Sequence, residues 1–352
     1  MSQERLEQRG MYVGGSYRDA DETFTVADPS TGDSVALVAD AGPDGVDAAL
    51  DSARAAQAEW AATDPIERGR IMRDVSRALE DHVDELAELV TRENGRPISQ
   101  SRLLVGSAVD YVDYYAGMTD KIEGESVSTS PSQQAFTRRD PVGVSAQIVP
   151  WNAPALLCFR GVAPALAAGN AVVVKPSPLA PGIILKLAEV ATEAGLPEGL
   201  FNVVPGRVDT GEALTTDERV DQITFTGSVS TGQIVGKAAM DRVIPTVLEL
   251  GGKSPAIVFE DADLDDALDG ALTAMTLING QVCFATTRVF VHEDRAHLEF
   301  EAGQDIAADA ASDADLRVRP KATTPPRTIV FVESGAEVKR ATDVVQAVSR
   351  SL

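Results

Sequence analysis

The sequence predicts an α/β protein built on a doubly wound parallel sheet. Between residues 143 and 250, short apolar runs rich in β-branched residues alternate with segments of helical periodicity. Parallel strands covered on both faces have this continuous apolar composition, and helical crossovers must connect them. The polar pieces "PWN", "KPS" and "TGS" stand where three of these strands end. Doubly wound sheets bind ligands beyond the carboxyl ends of their strands, so these pieces indicate a binding site.

The elements that precede the sheet follow from local patterns. Residues 11–40 alternate apolar pieces with turn residues, which predicts antiparallel strands. Apolar residues at three- and four-residue spacing predict helices over residues 42–62, 65–95 and 101–118. Residues 122–142 are rich in Ser and β-forming residues around a turn, which predicts a β-hairpin arm that projects from the body.

Composition excludes several classes of function. The net charge of -23, from 54 acidic and 31 basic residues, repels nucleic acid and anionic membranes, so we expect neither as a partner. The acidic residues are spread in pieces such as "DADLDDALD" (261–269) and "DIAADAASDADL" (305–316), a pattern typical of a halophilic cytoplasmic protein; an ordinary acidic enzyme is the alternative. Residues 1–10 lack a signal-peptide core, and the most apolar region, 153–174, is interrupted by Arg160 and Pro164.

The stretch "NGQVCFATTR" places one of only two cysteines, Cys283, among small polar residues. A nucleophilic cysteine needs access and nearby hydrogen-bond donors, whereas a free cysteine elsewhere is more often a small core residue. The other cysteine, Cys158, lies in the apolar run "ALLCF" and is expected to be buried and inert. Two cysteines give no disulfide framework and suit a reducing compartment. The sequence has three histidines and no CxxC or HExxH motif, so we expect no metal site. Any base that serves Cys283 is expected to be a carboxylate.

Two strand ends carry groups suited to binding a phosphate or a ribose. In "ITFTGSVSTGQIVGKAA", Gly227 ends a strand, Ser228 is placed to cap the next helix, and Gly232 follows five residues after Gly227. A phosphate is favoured at the positive end of such a helix, although a glycine-rich turn is the structural alternative. Lys175 ends "AVVVK" and is within reach of a ribose or phosphate, unless it is a solvated lysine.

Two further residues suit acid–base and oxyanion chemistry. Glu249 lies between leucines in "LELGGK", where a carboxylate is costly unless a cavity or a partner stabilises it, so it is a candidate general base. A salt-bridged glutamate on an edge strand is the alternative. Asn152 in "PWNAP" offers an amide donor for an oxyanion; a helix cap is the alternative.

Together these motifs resemble the aldehyde dehydrogenase superfamily. "PWN", "NAVVVKPS", "FNVVPG", "FTGS...G", "LELGGKSP" and "NGQVC...TR" occur in the family's order between about residues 11 and 300. The resemblance implies that Cys283 is the thiolate nucleophile, Glu249 the general base, and Asn152 with the Cys283 backbone N–H the oxyanion hole. The cofactor-binding positions that it implies are Val149, Pro150, Trp151, Lys175, Ser177, Gly211, Gly227, Ser228, Gly232 and Leu250.

The resemblance also implies a domain plan. Residues 1–121 are expected to form the N-terminal part of a Rossmann-like dinucleotide-binding domain, 122–142 an oligomerisation arm, and 143–250 the dinucleotide-binding sheet. Residues 251–300 are expected to begin an incomplete second α/β catalytic domain, and residues 301–352 to form a divergent acidic tail. A family-type homo-oligomer is implied, although the C-terminal strand that would pair with the arm is missing from the sequence.

The sequence departs from the family at three places. Pro178 stands where many NAD-using members have a glutamate, so NAD and NADP both remain open. Arg160 lies near the family's substrate tunnel, where an arginine contributes to holding an acidic aldehyde in some branches and occurs with other substrates too. After residue 294 the family continues for roughly 180 residues, including an ExFGP segment that is not found here.

The interpretation is an aldehyde dehydrogenase that oxidises a small aldehyde with NAD or NADP, with a shortened catalytic domain. A truncated or frameshifted gene accounts for the tail better than a natural variant with a reduced lid. One alternative is a non-catalytic dinucleotide-binding protein; a CoA-acylating semialdehyde dehydrogenase is disfavoured because that branch usually lacks the base that Glu249 supplies. We expect very weak or no aldehyde-dependent turnover, because catalysis needs the nucleophile, base and donor held by a supporting shell.

Overall fold

The computed structural model describes residues 6–130, 132–259, 262–291, 296–300, 304–321, 327–332, 340–341, 343–345 and 347–348. His292, the first residues of the chain and the start of the acidic piece at 261–269 lie outside the described residues. The chain divides after Gly251 into two compact units.

The strands and helices are numbered in chain order. The strands are β1 (Glu7–Arg9), β2 (Met11–Val13), β3 (Ser16–Arg18), β4 (Glu22–Ala27), β5 (Ser34–Asp40), β6 (Ser126–Ser128), β7 (Gln134–Phe136), β8 (Val144–Val149), β9 (Ala171–Pro176), β10 (Phe201–Val203), β11 (Gln222–Gly227), β12 (Thr246–Leu250), β13 (Ser254–Val258), β14 (Thr286–Val291), β15 (Ala296–Phe300), β16 (Val318–Lys321) and β17 (Arg327–Val332). The helices are α1 (Gly42–Ala62), α2 (Pro65–Asp81), α3 (Val83–Asn94), α4 (Ile98–Ala116), α5 (Pro154–Ala167), α6 (Gly182–Glu193), α7 (Val208–Thr216), α8 (Val229–Asp241), α9 (Leu264–Thr276) and α10 (Gln304–Asp313).

The first unit is organised around a mixed sheet with the strand order β12-β11-β8-β9-β10-β2-β3. The five strands from β12 to β10 are parallel, and β2 and β3 pair antiparallel at the far edge. The chain starts the parallel part in the middle at β8, runs outward through β9 and β10, and then returns to β11 on the other side of β8. This order is that of a doubly wound sheet with its topological switch point between β8 and β11. The predicted fold class is confirmed.

The central strands are apolar because they are covered on both faces. Every residue of β9 is buried, including Val172, Val173 and Val174, and α5 and α6 contribute buried residues to the same continuous core. Proline at the first position starts α5 and α2, where the missing N–H removes no helical hydrogen bond.

The helix predicted over residues 65–95 is wrong in one respect, because it is two helices. His82 separates α2 from α3, with backbone angles φ −103 and ψ 8, and its Nδ1 lies 2.7 Å from the carbonyl of Ala78. A side chain that bonds the preceding turn competes with helix continuation, and no Pro or Gly marked the position. The strands expected between residues 11 and 40 are present as β2 to β5, paired antiparallel as β2 with β3 and β4 with β5.

The hairpin arm predicted over residues 122–142 contains the antiparallel pair β6 and β7. All three residues of β6 are exposed, as is Phe136 at the end of β7. Among the described residues, β6 and β7 pair only with each other, and the arm is largely exposed.

The second unit begins at Gly252, the second residue of a glycine pair that splits the apolar run at residues 246–259 into two strands of different sheets. The strand β13 pairs in parallel with β14, and β15, β17 and β16 form an antiparallel sheet. The described part of the predicted acidic tail therefore contains regular elements, with α10 supplying Ala307 and Ala311 to a small second core. Among the described residues, no helix is long and apolar enough to span a membrane.

Candidate functional site

The switch point lies where β8 and β11 end, and the predicted oxyanion donor follows β8 directly. Val149 is the last residue of β8, and the half-buried Pro150, Trp151 and Asn152 form the turn into α5. The N-cap of α5 is Ala153, so Asn152 precedes the cap position and the capping interpretation of this residue is wrong. Asn152 thus lies at the edge of the sheet where doubly wound proteins bind ligands.

The turn after β8 is hydrogen-bonded at its backbone. The side-chain amide of Asn94 donates to the Trp151 carbonyl at 2.5 Å, and the guanidinium of Arg96 donates to the Asn152 carbonyl. The N–H of Ser177, after β9, donates to the Val149 carbonyl at 2.8 Å. Val149, Asn152 and Ser177 are therefore held in one backbone network at adjacent strand ends.

Lys175 is buried near the end of β9, which rules out a solvated lysine. Only 7% of the residue is exposed, and burial lowers the pKa of its ammonium group to about 8. Its Nζ donates to the Pro176 carbonyl at 3.2 Å. A Cβ on Gly211 of α7 would lie 3.4 Å from Cδ and Cε of Lys175, so Gly211 lies beside the lysine stem.

The turn between β11 and α8 has the predicted cap. Ser228 is the N-cap, and its hydroxyl accepts from the N–H of Thr231 at 3.2 Å. The first N–H groups of a helix have no partner within it, so the start of α8 offers further backbone donors. A Cβ on Gly232 would lie 2.5 Å from Cδ2 of Leu250, so α8 packs closely on β12 at Gly232 and a larger residue there would displace the Leu250 side chain. These facts fit both interpretations of the turn, because an anion site and a structural turn share this geometry.

Glu249 is ion-paired on β12, which is an edge strand of the sheet within the described residues. Its Oε1 lies 2.9 Å from Nη2 of Arg160 on α5, and the two side chains are 40% and 44% exposed. Alternate residues of a strand face opposite sides, and Leu248 and Leu250 contact the positions of Gly236 and Gly232 on α8. Glu249 therefore points to the face covered by α5. The salt-bridged alternative describes its present state, and a base at this position must exchange Arg160 for water.

Cys283 is exposed and lies in the second unit, whereas Asn152 and Glu249 lie in the first. It follows three residues with left-handed backbones, Ile278, Asn279 and Gly280, at φ values of 53, 55 and 72. A β-branched residue in this region is strained, and such strain occurs often at functional sites. Within the second unit, a Cβ on Gly252 would lie 3.4 Å from the carbonyl oxygen of Cys283.

Cys158 differs from Cys283 in its exposure to solvent. It is fully buried on α5, and burial raises the pKa of its thiol far above the ordinary range. The expectation of a buried residue is confirmed. Of the two cysteines, Cys283 is the accessible one.

Sequence reasoning missed the three buried polar side chains of the segment Glu93-Asn94-Gly95-Arg96. The sequence analysis includes Glu93 and Asn94 only as the last part of the helix predicted over residues 65–95. The sequence carries one signal for the turn, because Gly95 with Pro97 two residues later is a common helix ending, but it carries none for the burial of these side chains.

Comparison with known proteins places these features in a family. The model of the aldehyde dehydrogenase family matches residues 17–311, which extends past the limit near residue 300 that the motifs suggested. The NAD+ complex of aldehyde dehydrogenase from Bacillus cereus is 35% identical, with a TM-score of 0.80, over 88% of this chain and 63% of that chain.

Two further solved structures have the same similarity. An E. coli NADP dependent enzyme is 35% identical over 83% of this chain and 61% of that chain, with a TM-score of 0.79. PnpE from Pseudomonas sp. WBC-3 is 39% identical over 81% of this chain and 59% of that chain, also with a TM-score of 0.79. This chain therefore spans about three fifths of the length of these similar structures, between 59% and 63%.

Proposed function

The chain belongs to the aldehyde dehydrogenase family, and from this premise we propose that it oxidises an aldehyde to a carboxylic acid with NAD or NADP through a thioester on Cys283. The observation that carries the proposal is the convergence of Asn152, Lys175 and the start of α8 at the carboxyl ends of β8, β9 and β11. An accessible cysteine that is distinct from the buried one supports the same proposal.

The residues present fit a dinucleotide. The start of α8 supplies backbone N–H groups and a positive dipole end for a pyrophosphate, and the buried Lys175 supplies an ammonium donor beside Gly211. When bound, the nicotinamide supplies a hydride acceptor. Pro178 places no carboxylate after Lys175, so a ribose 2′-hydroxyl has no anionic acceptor at this position and a 2′-phosphate meets less repulsion. A solved relative from Bacillus cereus binds NAD+, and the E. coli relative is NADP dependent, which supports both cofactors.

The remaining steps belong to residues of this chain. The Cys283 thiolate attacks the aldehyde carbon, and the Asn152 amide and the Cys283 backbone N–H donate to the oxyanion. Such a donor typically contributes about 100-fold or more to the rate. A thioester does not hydrolyse unaided at a useful rate, so Glu249 activates the water that releases the acid and frees the thiol. Glu249 must first leave Arg160, and because both side chains are about half exposed, solvent makes that exchange inexpensive.

A second candidate function is dinucleotide binding without turnover. The ion pair that engages Glu249 favours it. The two candidates share the cofactor site and differ only in chemistry. An experiment must therefore measure binding and turnover separately.

Calorimetry in molar KCl with NAD and NADP tests the shared site. A heat of binding with either one is expected, and no heat at millimolar concentration with both would contradict both candidates. The test of turnover is absorbance of the reduced nicotinamide with aliphatic, aromatic and acidic aldehydes, in the wild type and Cys283→Ala. Turnover in the wild type that Cys283→Ala abolishes supports oxidation, whereas binding without turnover supports the second candidate.

A further inference from the structure

The end of α3 and the turn after it, residues 93–96, form a polar segment with buried side chains. Glu93, Asn94 and Arg96 are each exposed by no more than 6%, and Gly95 ends α3 in a left-handed conformation at φ 74. Burial of a charged or amide group is costly without hydrogen bonds. The hydrogen-bond partners of these side chains therefore explain why the segment tolerates their burial.

Asn94 and Arg96 bond the two carbonyls that flank the Cα of Asn152. The Nδ2 of Asn94 donates to the Trp151 carbonyl, and Nη2 of Arg96 donates to the Asn152 carbonyl. The two side chains also bond each other, because Nε of Arg96 donates to Oδ1 of Asn94 at 3.2 Å. Burial lowers the pKa of the Arg96 guanidinium to about 10, so it remains a cation at neutral pH.

These bonds fix the direction in which the Asn152 side chain leaves the backbone. The Trp151 carbonyl belongs to the peptide plane before the Asn152 Cα, and the Asn152 carbonyl belongs to the plane after it. With both peptide planes held, the backbone dihedrals φ and ψ of Asn152 are set. An oxyanion donor works best when it is preorganised in this way.

The same segment also holds the start of α6. The carboxylate of Glu93 accepts from the N–H groups of Gly182 and Ile183 at 2.9 and 3.2 Å, at the start of α6. The helix α6 follows the segment that contains Ser177. These four residues therefore anchor both the turn that contains Asn152 and the start of α6, where the segment after Lys175 ends.

We infer that Asn94 and Arg96 are positioning residues that hold the Asn152 amide in place for the oxyanion, an inference that rests on the proposed oxidation. Arg96 is the central member, because it bonds both Asn94 and the Asn152 carbonyl. Neither residue touches the reacting atoms. Their effect reaches the reaction through the backbone of Asn152.

A matched control exists in Arg68 on α2. Arg68 is also a buried arginine that bonds a backbone carbonyl, with Nη1 donating to Thr63 at 2.7 Å. Each of the two arginines has one buried guanidinium nitrogen with no hydrogen-bond partner among the described residues, Nε in Arg68 and Nη1 in Arg96. Substitutions at Arg68 therefore reproduce the loss of a buried arginine without changing the turn after β8.

The first experiment compares Arg96→Gln with Arg68→Gln in the full chain by steady-state kinetics and dinucleotide calorimetry. Arg96→Gln is expected to lower kcat about 100-fold, with KM and the dinucleotide Kd changed less than about threefold. The reason is that a displaced donor reduces stabilisation of the transition state and leaves ground-state binding unchanged. Arg96→Lys retains one donor and should recover part of that loss. An equal kcat in the Gln variants of Arg96 and Arg68 would overturn the inference.

The second experiment requires no turnover. Hydrogen exchange is measured by mass spectrometry on peptides that cover residues 150–156 in the wild type and both Gln variants. We expect Arg96→Gln to raise exchange there at least about tenfold, with Arg68→Gln like the wild type, because only Arg96 anchors this turn. Unchanged exchange in Arg96→Gln overturns the inference even if the wild type is inactive. A wild type that binds no dinucleotide and oxidises no aldehyde, with exchange as expected, would contradict the proposed function instead.

Discussion

The two units of this chain differ in how completely they cover their apolar residues. In the first unit, α5 and α6 pack on the parallel strands in one continuous core. In the second unit, α9 presents Leu264, Leu268, Leu272 and Met275 at helical spacing, and all four remain exposed. No residue of α9 is buried in the described chain. The sheet and helices of the first unit therefore share a large core, whereas in the described part of the second unit one apolar helix face stays exposed.

The same contrast applies to the two reactive groups. The backbone on both sides of the Asn152 Cα is held by buried side chains, whereas Cys283 is exposed and follows the strained Ile278. Preorganised groups contribute to catalysis in proportion to how firmly they are held. We therefore expect the groups that bind the cofactor and the oxyanion to be held more firmly than the nucleophile Cys283. The predictions below test this difference.

The largest expected effect is a difference in stability between matched leucine substitutions in the two units. Leu185 on α6 is fully buried, whereas Leu268 on α9 is 57% exposed. Leu185→Ala leaves a cavity and is expected to lower the free energy of unfolding by about 2–5 kcal/mol, whereas Leu268→Ala should change it by less than about 0.5 kcal/mol. Urea unfolding in molar KCl measures both.

A large loss in Leu268→Ala would show that α9 is covered in solution, and the contrast between the units would then fail. Helix propensity does not confuse the comparison, because both substitutions place alanine in a helix interior.

The second prediction concerns the two cysteines. Brief labelling with iodoacetamide, followed by peptide mapping, should modify Cys283 on the order of 100 times faster than Cys158. The reason is that Cys158 is fully buried with its thiol pKa raised by burial, whereas Cys283 is exposed. The control is labelling in urea, where both thiols should react alike. Equal rates under native conditions would show that the first unit is open around α5.

Local patterns predicted most of the fold because the parallel strands are short apolar runs with helical connections. The strand ends carrying Lys175, Ser228 and Glu249 were found in the same way, since polar groups there serve no packing purpose. The break at His82 was missed because no Pro or Gly marks it. The roles of these residues in chemistry stay predictions.

Contacts between distant parts of the chain were not accessible to local reasoning. The ion pair of Arg160 and Glu249 joins residues 89 apart, and the bond from Arg96 to Asn152 spans 56. Nothing in a run such as "LELGGK" states which cation faces the carboxylate. The sequence predicted that Glu249 needs a cavity or a partner, and only the fold identifies the partner.

The third prediction uses pH to weaken the anchored region itself. Burial raises the pKa of Glu93 to about 7, while the nearby Arg9 and the N–H groups at the start of α6 act in the opposite direction. Between the unfolded pKa near 4.5 and the folded value, the folded state binds more protons. The stability from this group is therefore present at low pH and decreases as pH rises toward 7, by on the order of 2 kcal/mol from pH 5 to 7.

Glu93→Gln should remove that part of the slope. Unfolding free energies in urea at several pH values measure it, with Glu88→Gln as the control because Glu88 is an exposed glutamate on the same helix. A slope that is the same in Glu93→Gln and the wild type would mean that Glu93 does not bind its proton as described.

The smallest expected effect decides whether Glu249 is free to act. Its ion pair with Arg160 is about half exposed. In contrast, Arg54 holds Asp221 through its two terminal guanidinium nitrogens, each at 2.9 Å. Asp221 also accepts from the N–H of Val144 at 2.7 Å. Exposed single pairs contribute about 0–1 kcal/mol, and bidentate pairs contribute more. We expect Arg160→Gln to change the free energy of unfolding by less than about 0.5 kcal/mol and Arg54→Gln to lower it by about 1–2 kcal/mol. A small contribution of the Arg160 pair to the free energy of unfolding means that Glu249 exchanges Arg160 for water readily, as a general base must. A cost at Arg160 equal to that at Arg54 would make Glu249 a structural residue, and the general base of the proposed reaction would then have to be sought elsewhere.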